Sequence, residues 1–185
     1  MKELSLYTLD IATNSIRAHA QLIRIDILED DEQIVIRISD DGCGMDKELL
    51  GRVTDPFSTT RTTRRVGLGI PFFKMQAELT GGTFSISSRS EKEYADHGTV
   101  TQASFLKASI DCVPLGNMVE TICTLIHGMG EIDLIFTHTM KGGEVKISTS
   151  ELREVLGGDV PLSEPEVIAW IREYLVDAYA SINLT

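Results

Sequence analysis

The chain has 185 residues and a formal net charge of −11, a length that suits one domain with at most a small appendage. So large an acidic surplus repels nucleic-acid phosphates and anionic lipid, which argues against DNA, RNA or a membrane surface as the partner. The one basic stretch is TTRTTRR at 59–65. Hydrophobic residues make up 42%, enough for a core. No apolar run approaches the about 18 residues a membrane span requires. The three cysteines, Cys43, Cys112 and Cys123, are scattered without metal-type spacing, which speaks against zinc and fits a reducing cytoplasm. The opening MKELSLYTLD carries acid early and has no signal-peptide core.

In chain order, residues 4–20 contain no Gly or Pro and are rich in Leu, Ile and Ala, which predicts a helix. LIRIDIL at 22–28 alternates, with Ile23, Ile25 and Ile27 on one face. After the turn EDDE, QIVIRIS alternates again through Ile34, Ile36 and Ile38, so a hairpin with one buried face is expected. DDGCGMD follows, then a short helical piece near KELL and a Thr- and Arg-rich loop over 54–67. LGIPFFKMQAEL at 68–79 predicts a helix, closed by Gly81 and Gly82, with Pro71 tolerated only in its first turn. Strands are expected at 83–89 and 99–110.

The texture changes after Asp111. A helix over NMVETICTLI, strands over EIDLIFTH and EVKIS, and two closing helices are expected. The last one, SEPEVIAWIREYLVDAY, opens with a capping box of Ser163 and Glu166 and carries an apolar stripe of Val167, Ile171, Leu175, Ala178 and Ile182. Trp170 is expected to pack that helix. The division is residues 1–110 as one domain and 111–185 as a C-terminal α/β extension with a regulatory or partner-binding role.

Three clusters carry chemistry. Asp10, Asn14 and Arg17 fall at i, i+4 and i+7, one face of the first helix. An acid, an amide and a guanidinium there suit a base, a Mg²⁺ ligand and a phosphate contact. DDGCGMD puts two glycines one residue apart at a strand end, as if backbone must approach something closely. VGLGI puts Gly67 and Gly69 around Leu68 before a helix, where backbone N–H groups can face an anion. In DPFSTTR, Pro56 and Phe57 can anchor one end of a loop. Alone, each cluster also reads as a solvated stripe, a turn or a hinge. His19, His97, His127 and His138 stand singly and are expected to be structural or at the surface, and Cys43 to be a space-filling residue.

The order of the clusters is more specific than any one of them. DIATNSIR, then DDGCGM, DPFSTT, GLGI and a GT before a strand resembles the GHKL superfamily of gyrases, heat-shock chaperones, histidine kinases and mismatch-repair ATPases, over residues 4–107. The resemblance implies an α+β, two-layer α/β sandwich of Bergerat type with a mixed, largely antiparallel sheet, in a stand-alone bacterial form. It implies ATP and Mg²⁺ as ligands. Asp40 would accept from the adenine exocyclic amine, where guanine presents a carbonyl, and Gly42 and Gly44 would let backbone lie against the base. Thr99 would hold the water network at adenine, Asn14 would ligate Mg²⁺ and Arg17 would contact phosphate. Gly67, Leu68 and Gly69 would lie beneath the phosphates, with Arg64 and Arg65 in a mobile lid over 58–66. Asp10 stands where the gyrase and mismatch-repair branches usually carry Glu as general base, one methylene shorter, so slow hydrolysis is expected. Only three residues precede the first helix, which leaves no room for the dimerisation hairpin of a complete sensor kinase. The implied activity is phosphate transfer to a partner protein. The alternatives are a non-enzymatic ATP-gated interaction switch and a slow ATPase of the gyrase or mismatch-repair type. A homodimer is compatible with either.

Overall fold

The computed structural model describes residues 2–54, 68–157 and 160–182. The elements in order are α1 (Leu4–Arg17), β1 (Leu22–Glu29), β2 (Gln33–Asp40), α2 (Lys47–Val53), α3 (Gly69–Leu79), β3 (Phe84–Arg89), β4 (Gly98–Leu106), α4 (Met118–Gly128), β5 (Asp133–Met140), β6 (Gly143–Ser148), α5 (Thr149–Leu156) and α6 (Pro165–Ile182). The strands form one six-stranded sheet in the order β3-β4-β2-β1-β5-β6. Among the described residues only β1 and β5 pair in parallel; the other pairings are antiparallel. This is the mixed, largely antiparallel sheet expected from the sequence.

The period-2 pattern decides which face is covered. Ile23, Ile25 and Ile27 of β1, Ile34, Ile36 and Ile38 of β2, Ala103 and Phe105 of β4, and Leu134 and Phe136 of β5 are all buried. Paired registers set Ile25 against Ile38 and Phe136, so the inward rows of three strands coincide. Helix α1 packs over β2, α3 over β4, and α6 over β6, with α4 between α1 and α6. Phe73 of α3 is the hub of an aromatic cluster, with ring centroids 5.3 Å from Phe105, 6.1 Å from Tyr7 and 6.4 Å from Phe84. Among the described residues no helix is long and apolar enough to cross a membrane.

Residues 111–182 are continuous with the rest through the sheet and core, because β5 pairs with β1 and their side chains join one hydrophobic cluster. The connecting segment is stitched down as well. Helix α1 has no side-chain cap; its first N–H groups donate instead to the carbonyls of Pro114 (3.0 Å) and Leu115 (2.8 Å). Gln76 Nε2–H donates to the Asp111 carbonyl at 2.6 Å.

Several boundaries differ from the sequence expectation for identifiable reasons. Helix α1 stops at Arg17 rather than residue 20, because His19 adopts φ 57°. His19 N–H donates to Ile16 O (3.1 Å) and Ala20 N–H to Ser15 O (3.2 Å), the paired bonds of a Schellman stop with histidine where glycine is usual. Strand β4 ends at Leu106, where Lys107 N–H turns to the Glu32 carbonyl at 2.8 Å. Helix α6 begins with Pro165 at its first position, which puts Ser163 one residue outside the cap that the capping-box reading assigned to it. Of the α6 stripe, Ile171 and Leu175 are fully buried and Val167, Ala178 and Ile182 pack at the margin. Trp170 is not core packing: it is half exposed and stacks on Tyr174, with centroids 5.7 Å apart.

Candidate functional site

The inward rows of β2, β4 and β3 end on polar side chains. Below Ile34, Ile36 and Ile38 comes Asp40, paired in register with Thr99, which in turn pairs with Ser88. Strand alternation therefore carries a carboxylate and two hydroxyls to one end of the apolar layer. The Asp40 carboxylate is oriented from two sides: Ser15 Oγ–H donates to Oδ2 at 2.6 Å, and Gly42 N–H to Oδ1 at 3.0 Å. Burial pushes its pKa above the ordinary value, with the neighbouring Asp41 charge adding to the rise. The bonds from Ser15 and from the Gly42 and Thr99 backbone pull the other way.

The hydroxyl of Thr99 is committed. Ser88 Oγ–H donates to the Gly98 carbonyl at 3.0 Å, so its single proton is spent there. The 2.8 Å contact between Ser88 and Thr99 is then Thr99 donating, and Thr99 keeps lone pairs to accept with. Ser88 also receives Met45 N–H at 2.8 Å, which ties the turn after Asp40 to β3. A cleft of about 300 Å³ lies beside this point, lined by Met45, Leu50, Ser88, Arg89 and Tyr94 among others. It borders the Asp40 end of the sheet without containing Asp40 or Thr99.

The two glycines of the turn are closely approached by protein atoms. A Cβ on Gly42 would lie 2.8 Å from Ala18 O and 2.9 Å from Ala18 Cβ, at the end of α1. Gly44 has φ +63°, and a Cβ there would collide with the Arg89 carbonyl. The bare backbone is thus required for the turn to pass between α1 and β3. Cys43 N–H donates to Ala18 O (2.9 Å) and Glu91 N–H to Cys43 O (2.9 Å), closing it on both sides. Cys43 itself is half-buried with a free thiol.

Helix α1 presents the other cluster. Its buried stripe runs through Leu4, Tyr7, Thr8, Ile11 and Ser15, with Ala12, which leaves Asp10, Asn14 and Arg17 along the edge facing α3 and the solvent. The carboxylate of Asp10 lies against Gly69, the first residue of α3, where a Cβ would run into it. Leu68 is the α3 N-cap and makes no side-chain capping bond, and the first turn has no acid of its own. Asp10 thus sits at a helix start, an arrangement favourable to negative charge. Pro71 falls within that turn, where a missing N–H costs nothing. Arg17 Nη1–H donates to Asn14 Oδ1 over a long 3.4 Å. Among the described residues Asn14 Nδ2 is buried with no hydrogen-bond partner. The amide is therefore underused, with one weakly engaged oxygen available to a hard cation. No three His, Cys, Asp or Glu among the described residues gather as a metal set, so a divalent ion here would share its coordination with a ligand's oxygens.

Of the residues singled out in the sequence, Asp40 and Thr99 share one pole, Asp10, Leu68 and Gly69 another, and Asn14 and Arg17 lie along α1 with Asp10. Arg64, Arg65 and Gly67, the lid over 58–66 and the Pro56–Phe57 anchor lie outside the described residues. Three site residues escaped the sequence reading. Ser15 is the donor to Asp40; a serine at the C-terminal end of the buried stripe of α1 is the signal that could have found it. Ser88 could have been found as the inward residue opposite Gly98-Thr99. Asp41 accepts N–H bonds from Gln21 (2.7 Å) and Leu22 (2.9 Å) and fixes the start of β1 beside the turn.

Comparison with known proteins places these features in one frame. Residues 2–109 match the family described as histidine kinase-, DNA gyrase B- and HSP90-like ATPase. No curated protein matches the chain in sequence. Among solved structures, the N-terminal domain of a DNA repair protein superposes with a TM-score of 0.50 at 17% identity, covering 80% of this chain and 52% of that one, so the chain spans about half its length. The Aquifex aeolicus MutL ATPase domain complexed with ADP superposes with a TM-score of 0.51 at 15% identity, over 85% of this chain and 70% of that one. At these identities the two structures establish the shared fold.

Proposed function

Because the chain belongs to the histidine kinase-, DNA gyrase B- and HSP90-like ATPase family, we propose that it binds ATP between the Asp40 pole and the start of α3 and passes the γ-phosphoryl group slowly to a partner protein. The observation that carries the reading is the Asp40 carboxylate, half-buried at the end of an apolar row and held by Ser15 and Gly42. A fixed, desolvated acceptor is what an exocyclic amine requires, and the carbonyl of guanine would face it with no proton to offer. Thr99 retains acceptor capacity beside it. Arg17, and the N-terminus of α3, would supply positive ends toward phosphate oxygens.

Asn14 would hold Mg²⁺ brought in with the nucleotide, which supplies charge neutralisation on the phosphates. Asp10, against Gly69, is placed to take the proton of whichever oxygen attacks the γ-phosphorus. As that oxygen bonds to phosphorus, the bond to the β–γ bridging oxygen breaks and ADP leaves. Aspartate reaches less far than glutamate, which supports a slow reaction with water. A net charge of −11 supports a protein acceptor over a nucleic-acid setting.

The test is single turnover with γ-labelled ATP, with and without proteins that co-purify with the chain. The reading expects little free phosphate from the chain alone, label on a partner side chain, and loss of transfer by about 10²- to 10⁴-fold in Asp10→Asn with ATP binding retained. Rapid phosphate release without a partner would replace it with an ATPase. Intact ATP and unlabelled protein in a nucleotide-dependent complex would replace it with a non-enzymatic switch.

A further inference from the structure

We infer that His97, on the connection between β3 and β4, is a positioning residue for base recognition, acting on Asp40 through the backbone of Gly42; the inference rests on the ATP reading above. His97 Nδ1 lies 2.6 Å from the Gly42 carbonyl oxygen, 55 residues away in sequence. A carbonyl only accepts, so this nitrogen carries the proton. The amide of the same glycine donates to Asp40 Oδ1 at 3.0 Å. His97, Gly42 and Asp40 thus form a chain in which the imidazole fixes the carbonyl of Gly42 and the amide of Gly42 fixes one oxygen of the carboxylate.

Gly42 needs such a clamp. Its contact with Ala18 forbids a side chain, so no packing of its own can hold it. Glycine is also the residue freest to rotate. Cys43 is anchored by backbone bonds, its N–H to Ala18 O and its carbonyl receiving Glu91 N–H, and the first of these holds the N–H edge of the peptide whose carbonyl is that of Gly42. The Gly42 carbonyl has His97. The histidine is well placed for this task. Residues 91–96 before it are exposed and His97 is the first to be half-buried. The next residue, Gly98, has φ +133° and packs so tightly that a Cβ would strike the Asp40 carbonyl. The connection is thereby pinned to the two ends of the 40–42 segment, at Asp40 through Gly98 and at Gly42 through His97.

The Gly42 carbonyl belongs to the Gly42–Cys43 peptide and the Gly42 amide to the Asp41–Gly42 peptide, the two planes hinged at the glycine Cα. Without the imidazole the Gly42–Cys43 plane keeps only the Cys43 N–H bond to Ala18 O, the glycine hinge loosens, and the Gly42 amide holds Asp40 Oδ1 less firmly. The carboxylate then presents to adenine in a less fixed orientation, while groups directed at phosphates are untouched. The consequence is specific to the base. ATP affinity should fall by about tenfold, the value of one well-placed hydrogen bond, and affinity for GTP, held by its phosphates alone, should stay the same.

The experiment measures ATP and GTP binding by calorimetry or competition in the wild-type chain and in His97→Ala, His97→Asn and His97→Gln, with apo thermal melts of each. Asparagine carries an N–H at the same number of bonds from Cα as Nδ1, and glutamine carries it one atom farther out. Expected are a narrowed ATP-to-GTP preference in His97→Ala, near-complete recovery in His97→Asn, and no recovery in His97→Gln. In the wild type, ¹⁵N imidazole resonances should place the proton on Nδ1, a readout independent of any variant's folding. An unchanged preference in His97→Ala, equal losses for both nucleotides, recovery by glutamine as good as by asparagine, or an unprotonated Nδ1 would each overturn the inference while leaving ATP binding in place. A wild-type chain that binds neither nucleotide would remove the ATP reading and this inference with it, before any variant is made.

Discussion

At the scale of single residues, Asp40 joins stability and recognition with opposite signs. Its pKa is raised, chiefly by burial, so as pH falls the folded chain takes up this proton before the unfolded chain does. The group therefore favours the fold most fully below its unfolded pKa, and that contribution is lost as pH rises through the folded value. The proposed base recognition requires the ionised form. Affinity for adenosine, which has no phosphate to titrate, should decline on acidification from neutral pH earlier than an unperturbed carboxylate would allow, and Asp40→Asn should show weak binding without that decline. Equal pH profiles in the two proteins would remove Asp40 from the base. Gly44 is a second sensitive point. Its φ of +63° and the approach of the Arg89 carbonyl both exclude a side chain, so Gly44→Ala should lose at least about 2 kcal/mol in urea unfolding. The residue types in DDGCGMD announced a constrained turn. The protein neighbours of its glycines were not legible, because Ala18 and Arg89 come from distant segments that only the fold brings in. Ser15 and Ser88 were hidden for the same reason: a serine's partner cannot be read from its neighbours in sequence.

Secondary-structure elements were easiest to read where one face is apolar over several turns or strand repeats. The isoleucine alternation of β1 and β2 and the α6 stripe through Ile171 and Leu175 depend on composition at fixed period. Element ends were harder, since they turn on single bonds. The α1 stop uses His19 at φ 57°, a conformation that costs a side-chain-bearing residue about 1–2 kcal/mol. His19→Gly should therefore stabilise the chain by roughly 0.5–1 kcal/mol after glycine's greater entropy loss on folding is counted, seen as a raised melting temperature. A lower one would mean that the imidazole makes up for the strained backbone. At the other end of the chain, Leu175 is fully buried, and Leu175→Ala should cost about 2–5 kcal/mol. Helix α6 also contributes Tyr179, whose hydroxyl lies 2.9 Å from His138 Nδ1 on β5. Burial lowers the His138 pKa, while Glu29, 3.3 Å from Nε2, opposes the shift. With a lowered folded pKa, this group's contribution is present above the unfolded value and is lost as pH falls, so α6 docking should weaken in acid.

For the molecule as a whole, the sheet carries the argument. Two strands from residues beyond 111 complete it on the β1 side, and the segment at 111–117 caps α1 and meets α3. Any change in residues 111–182 can therefore reach the helix that bears Asp10, Asn14 and Arg17 through packed structure. The sequence showed a change of texture near residue 110, and the shared sheet was invisible in it because strand pairing between β1 and β5 spans more than a hundred residues of intervening chain. The central claim is that this sheet delivers Asp40 to the base of ATP. The most direct measurement is a calorimetric titration of ATP and GTP, with Mg²⁺, into the wild-type chain and Asp40→Asn. The account predicts that the wild type prefers ATP and that the variant loses roughly tenfold or more of its ATP affinity, as expected for a hydrogen bond to a charged acceptor, with GTP little changed. Equal ATP affinity in the two proteins would contradict it.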